Sequence, residues 1–84
     1  MARKKTEEGV AFGKVLRNER SKRGVTQEQL GELSGLHPKY ISLMERGLRQ
    51  PTLASILQLA TALEIEASTL IEQVEKHLRV SGDS

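Results

Sequence analysis

The chain has 84 residues, enough for one domain with a single thin core, since a domain of this size buries only about 60–65% of the surface its unfolded chain exposes. Hydrophobic residues make up 37% and charged residues 29%; no apolar run approaches the ~18 residues of a membrane span, and no apolar stretch follows the basic N-terminus as a secretory signal requires. Cysteine is absent, which excludes disulfides and thiolate metal sites and fits a cytoplasmic location; the only aromatics, Phe12 and Tyr40, leave few platforms for stacking single-stranded bases. The net charge of +2 is unevenly spread. Residues 1–24 hold eight basic against three acidic groups, residues 25–63 balance, and residues 64–84 hold two basic against five acidic. Such asymmetry suits one face for a polyanion, although charge runs also serve only to solvate a surface.

Residues 1–9 show no apolar periodicity, end in Gly9 and read as a flexible basic arm. A helix is expected over 10–23, with Phe12, Leu16 and the stem of Arg20 on one face and Gly24 as its stop. Thr26 and Gln29 form a capping box for a second helix that buries Leu30 and Leu33. Gly31 sits inside that helix, where it costs roughly 1 kcal/mol against alanine, and is expected to admit a closely crossing neighbour. Ser34-Gly35-Leu36 ends it, and His37-Pro38 starts a third helix, with proline at the position that needs no amide. That helix runs to Arg46. A fourth, about 52–63, carries Leu53, Ile56, Leu57, Ala60 and Leu63 at core spacing. A fifth, about 67–79, carries Ala67, Leu70, Ile71, Val74 and Leu78, and residues 81–84 read as a disordered tail. The fold class is therefore all-α: five short helices within a single domain, residues 10–80.

At about 100° per residue, Ile41 and Met44 point the third helix inward and Lys39, Ser42, Leu43 and Arg46 point outward, with Tyr40 and Glu45 on the flanks. Long donors, a hydroxyl and an apolar side chain suit base edges and a thymine methyl, although an ordinary solvated face accounts for the same residues. A capped helix, a glycine turn and a second helix starting with proline make up a helix-turn-helix unit, whose second helix enters the major groove. Gln27, at the amino end of the second helix, is placed to meet a phosphate.

Residues 12–65, and above all TQEQLGELSGLHPKYISLMERG, resemble the lambda-repressor-like, Cro/CI-type (XRE) helix-turn-helix family. The resemblance implies a compact five-helix bundle that regulates transcription as a homodimer on double-stranded operator DNA. It carries Pro38, Lys39, Ser42 and Leu43 to base-reading positions. Gln27, Tyr40, Arg46, Arg49 and Gln50 fall at backbone-contacting positions, with Gln27 also bracing the recognition helix. Arg20 and Glu45 match a partly buried structural ion pair. Gly31 departs from the family's usual alanine, and Pro38 from its usual polar side chain. The stripe of Leu70, Ile71, Val74 and Leu78 on the fifth helix is expected to form the dimer surface, since a two-fold operator mirrors a two-fold protein.

No catalytic constellation accompanies His37 and His77; His37 reads as a helix cap, and no cofactor or metal site is expected. The expected protein is a small, self-regulating repressor or restriction–modification controller, cytoplasmic and on the nucleoid, with RNA polymerase as a candidate further partner. A protein-binding adaptor or an antitoxin of the same fold is the alternative. The retained Lys39, Arg46 and Arg49 count against the adaptor, and the few residues beyond the fifth helix count against the antitoxin.

Overall fold

The computed structural model describes residues 5–82. Five helices follow in order, α1 (Glu7–Lys22), α2 (Gln27–Ser34), α3 (Pro38–Glu45), α4 (Leu53–Leu63) and α5 (Ala67–Gly82), and no strand occurs among the described residues. Residues 1–4, most of the expected arm, and residues 83–84 of the expected tail lie outside the described residues.

α1 starts three residues earlier than its apolar pattern predicts. Thr6 is its N-cap and accepts from the Gly9 amide at 2.9 Å, while Glu7 and Glu8 occupy the first turn, where the helix dipole favours acid. Gly9 is thus a buried residue of the first turn and not the end of an arm. α5 likewise runs through 81–82, two of the residues assigned to a tail. The Thr26–Gln29 capping box is complete, each side chain bonded to the other's backbone amide at 2.8 and 3.0 Å. Gly35 closes α2 at φ 79°, a left-handed conformation that glycine takes without steric cost. His37 caps α3, its Nδ1 accepting from the Lys39 amide at 3.0 Å.

The core is built from one face of each helix: Phe12, Val15 and Leu16, then Leu30, Ile41 and Met44, then Leu59 and Leu63, then Leu70 and Val74. Three apolar assignments change. Leu33 is 61% exposed, because α2 turns Leu30, Gly31 and Ser34 inward, and Ser34 uses its carbonyl to accept from Gln58 Nε2 at 3.2 Å. Leu53 and Leu57 are 74% and 51% exposed. α4 is apolar on more than one side, and the small domain covers only the side carrying Leu59, Ala60 and Leu63.

Gly13 and Gly31 set two close approaches. A Cβ on Gly13 would lie 2.4 Å from the Met44 carbonyl oxygen and 2.7 Å from that of Glu45, so α1 touches the backbone of α3 there. A Cβ on Gly31 would lie 2.8 Å from the Leu36 carbonyl oxygen and 3.1 Å from Pro38 Cγ. The crossing expected at Gly31 is present, made by the turn and the proline that opens α3.

Candidate nucleic-acid interface

α2, the turn and α3 present a surface whose parts are fixed from behind. Ile41 and Met44 are fully buried, which anchors the inner face of α3. Lys39 and Arg46 are exposed and Tyr40 and Glu45 lie on the flanks, as the helical spacing predicts, whereas Ser42 and Leu43, expected on the same exposed face, are half-buried. Pro38 is half-buried against Gly31.

Glu45 is the hub behind this surface. Its carboxylate accepts from Arg20 Nε at 2.6 Å, from Arg20 Nη2 at 3.0 Å and from Gln27 Nε2 at 2.9 Å. Arg20 Nη1 donates to the Val25 carbonyl at 2.9 Å. The pair is largely out of solvent, with the Arg20 and Glu45 side chains 16% and 4% exposed. The hydrogen bond to Glu45 holds the Arg20 guanidinium above its ordinary arginine value; burial opposes this, and the attraction of the carboxylate adds to it. One charge cluster therefore ties the end of α1, the following turn, the start of α2 and the end of α3. The bracing of α3 by Gln27 is direct, and the capping box uses the amides of Thr26 and Gln29 but not those of Gln27 and Glu28 in the same first turn.

The loop after α3 carries Arg46, Arg49 and Gln50. Arg49 is exposed, its guanidinium carbon 5.7 Å from the Tyr40 ring centroid. The Gln50 amide is already engaged, donating to Thr6 Oγ1 at 2.9 Å, so a phosphate contact from it requires that bond to open. Lys39, Tyr40 and Leu43 on one side and Arg49 and Thr52 on the other frame an open hollow of about 580 Å³. This surface offers cations, hydroxyls and one apolar side chain around a groove-sized helix, the chemistry that phosphates and base edges require.

The helix-turn-helix family profile matches residues 16–70, spanning α2, α3 and the helices that hold them. The chain belongs to the helix-turn-helix family. Control protein C.SmaI of Serratia marcescens is 41% identical over 56 residues, covering 67% of each chain. An uncharacterized helix-turn-helix-type transcriptional regulator of Mycobacterium tuberculosis is 40% identical over 58 residues, and that match spans 69% of this chain but only 41% of the regulator. The crystal structure of the restriction–modification controller protein C.AhdI from Aeromonas hydrophila superposes with a TM-score of 0.75 at 46% identity, covering 77% of this chain and 98% of that one. The clp gene regulator ClgR from Corynebacterium glutamicum superposes at 0.84 with 25% identity over 90% of this chain and 81% of that one. The family resemblance and the five-helix fold read from the sequence are thereby established.

The α5 stripe of this helix-turn-helix chain, expected from the sequence to form a dimer surface, is not a single exposed face. Leu70 and Val74 are buried in the monomer's own core, because α5 packs them against α1 and α4, so neither is available to a partner. Ile71, 40% exposed, remains at the surface, and Leu78 lies partly covered against the core. Leu53 and Leu57, one turn apart on α4, are exposed like Leu33, although their spacing predicts core positions. Their i, i+4 spacing is the same whether they face a core or a partner, so only the packing distinguishes the two.

Thr6, Thr52 and Ser55 carry no expectation from the sequence, yet Thr6 accepts from Gln50, Ser55 pairs with the Tyr40 hydroxyl, and Thr52 pairs with Ser55 behind them. The signal for Thr52 and Ser55 was present: a threonine three residues before a serine at a helix start is an N-cap spacing, and Thr52 does accept from the Ser55 amide at 3.0 Å. Among the described residues no group of acidic, histidine or cysteine side chains could hold a metal ion, and no single helix is long and apolar enough to cross a membrane.

Proposed function

We propose that this protein is a sequence-specific, double-stranded DNA-binding transcriptional regulator of the controller type, acting as a homodimer on a two-fold operator beside its own gene. The observation that carries the reading is the outward face of α3, with Lys39, Ser42, Leu43 and Arg46 displayed on a helix clamped from behind by Arg20, Gln27 and Glu45. In this reading α3 lies in the major groove. Lys39 donates to base edges or a nearby phosphate, Ser42 donates or accepts, Leu43 packs on a thymine methyl, and Pro38 contributes shape alone. Gln27, Tyr40, Arg46 and Arg49 hold the phosphate backbone, and Gln50 joins them if Thr6 releases its amide. The protein works in the cytoplasm on the nucleoid, and contact with RNA polymerase belongs to the same proposal where binding activates.

Selection from random double-stranded oligonucleotides tests this directly. The wild-type chain is expected to enrich a two-fold sequence. Lys39→Ala should relax preference at the base pairs it faces, a loss of about 1–3 kcal/mol, whereas Arg46→Ala should weaken all sequences alike and reduce the salt slope by about one. A Lys39→Ala chain that selects the same sequence with the same discrimination would remove α3 from base reading.

Five large apolar residues are exposed, Leu33, Leu53, Leu57, Ile71 and Val80, and of these Leu53, Leu57 and Ile71, on α4 and α5, are the ones we assign to a second copy. Leu57→Asp together with Ile71→Asp is expected to give a folded monomer by sedimentation, with affinity for a two-fold operator lowered at least a hundredfold, since each half-site then binds without its neighbour. Leu70→Asp, by contrast, is expected to unfold the chain, because it places a charge in the core. A wild-type chain that is monomeric at micromolar concentration would contradict the homodimer.

A further inference from the structure

A chain of three hydroxyls runs beneath the loop that follows α3. Thr52 Oγ1 and Ser55 Oγ are 2.8 Å apart, and Ser55 Oγ is 3.0 Å from the Tyr40 hydroxyl. The Tyr40 hydroxyl also lies 3.4 Å from the Gln50 carbonyl oxygen, a long contact that it can only donate to. Because the Tyr40 hydroxyl spends its one proton on the Gln50 carbonyl, a single proton order makes all three bonds: Tyr40 donates to Gln50, Ser55 to Tyr40, and Thr52 to Ser55. Ser55 is 4% exposed and sits in the first turn of α4, so it is a link and not a surface group. At the far end, the ring fixed by this chain lies under the Arg49 guanidinium.

We propose that Ser55 is a positioning residue for nucleic-acid binding: by holding the Tyr40 phenol between α4 and the loop, it sets the ring on which Arg49 rests and so the angle at which Arg49 meets a phosphate. The inference rests on the DNA-binding reading above and deepens it. Without the link from Ser55, the phenol keeps only its long contact to Gln50, the ring swings about its side-chain torsions, and Arg49 samples solvent before it finds a phosphate. Ordering that arginine again on binding costs affinity.

Tyr40 is the chain's only tyrosine and there is no tryptophan, so intrinsic fluorescence reports on this ring alone. The experiment compares wild type, Ser55→Ala, Tyr40→Phe, Arg49→Ala and the double variant Ser55→Ala/Arg49→Ala. Each is titrated onto the operator that wild type selects, at two salt concentrations, and each is checked for folding by thermal melting. Ser55→Ala should lower the tyrosine anisotropy of the free protein and weaken operator binding about fivefold, near the worth of one hydrogen bond. Tyr40→Phe should lose at least as much affinity, because it removes the same link together with any contact of the phenol to phosphate. In the Arg49→Ala background, Ser55→Ala should cost nothing further, because the two act in series.

A fivefold loss that persists undiminished without Arg49 would overturn the proposal, as would an unchanged tyrosine signal in Ser55→Ala; either leaves DNA binding itself standing. Failure of wild type to select any sequence would overturn the DNA-binding reading and this role with it. Should Ser55→Ala not fold, Ser55→Cys, whose thiol is only a weak donor and acceptor, takes its place in the same cycle with Arg49→Ala and keeps the tyrosine signal.

Discussion

Gly13→Ala is expected to cost about 3 kcal/mol of folding free energy and to lower the melting temperature by roughly 12–24 °C. The added methyl would sit 2.4 Å from the Met44 carbonyl oxygen and 2.7 Å from that of Glu45. Both are main-chain atoms in the last turn of a helix, so no side chain can swing aside, and α1 and α3 must separate along their crossing. Alanine recovers up to about 1 kcal/mol of helix propensity, which the clash exceeds. A domain of this length has only about 4–12 kcal/mol of stability in total, so the loss is a large fraction of it. The displaced element is α3, so DNA affinity should fall even in the folded fraction. Gly31→Ala makes the comparison. Its methyl would meet the Leu36 carbonyl oxygen at 2.8 Å, in a turn that can yield more readily than a helix, and its loss should be the smaller of the two. Thermal melts of the two variants settle the order, and a Gly13→Ala chain as stable as wild type would show that the helices can part at little cost.

The same two glycines show what sequence alone could reach. A glycine inside a helical pattern signals close approach, and the rule that singled out Gly31 applies equally to Gly13, whose neighbour lies 31 residues away in the chain. The helices themselves were legible because their signals are local: the Thr26–Gln29 box, Pro38 at the start of α3, and Ile41 and Met44 one turn apart. The outward set on α3 followed from angle alone. Partition of apolar residues between core and surface did not, since it depends on which other helix arrives. Leu33, Leu53 and Leu57 have the spacing of core residues and face solvent, while Leu70 and Val74 have the spacing of an interface and are covered within the monomer. The hydroxyl chain joins residues 15 and 3 positions apart, and only packing brings Ser55 beneath Tyr40.

Glu45→Ala should produce a loss of similar size by a different route, and its consequence for function separates two roles of one side chain. The carboxylate is 4% exposed and satisfies two donors of Arg20 and one of Gln27. Its removal leaves a largely buried guanidinium with only the Val25 carbonyl, at an expected cost of about 3 kcal/mol. The pH dependence follows from the raised Arg20 value. A cation whose pKa is higher in the folded state contributes fully below its unfolded value and loses that contribution only as pH rises through the folded one, beyond the ordinary arginine range. The arginine's contribution is therefore flat across neutral pH, and the difference between wild type and Glu45→Ala on this account should not change between about pH 6 and pH 9. A buried ion pair is nonetheless replaceable as far as stability goes, because well-packed apolar groups avoid the desolvation that the charges suffer. Arg20→Met with Glu45→Leu should thus recover much of the melting temperature. It should not recover DNA affinity, because Gln27 has then lost the acceptor that holds its side chain against α3. Recovery of both together would mean that Glu45 only stabilises the fold; recovery of stability alone would make the Gln27–Glu45 bond part of the DNA-binding surface.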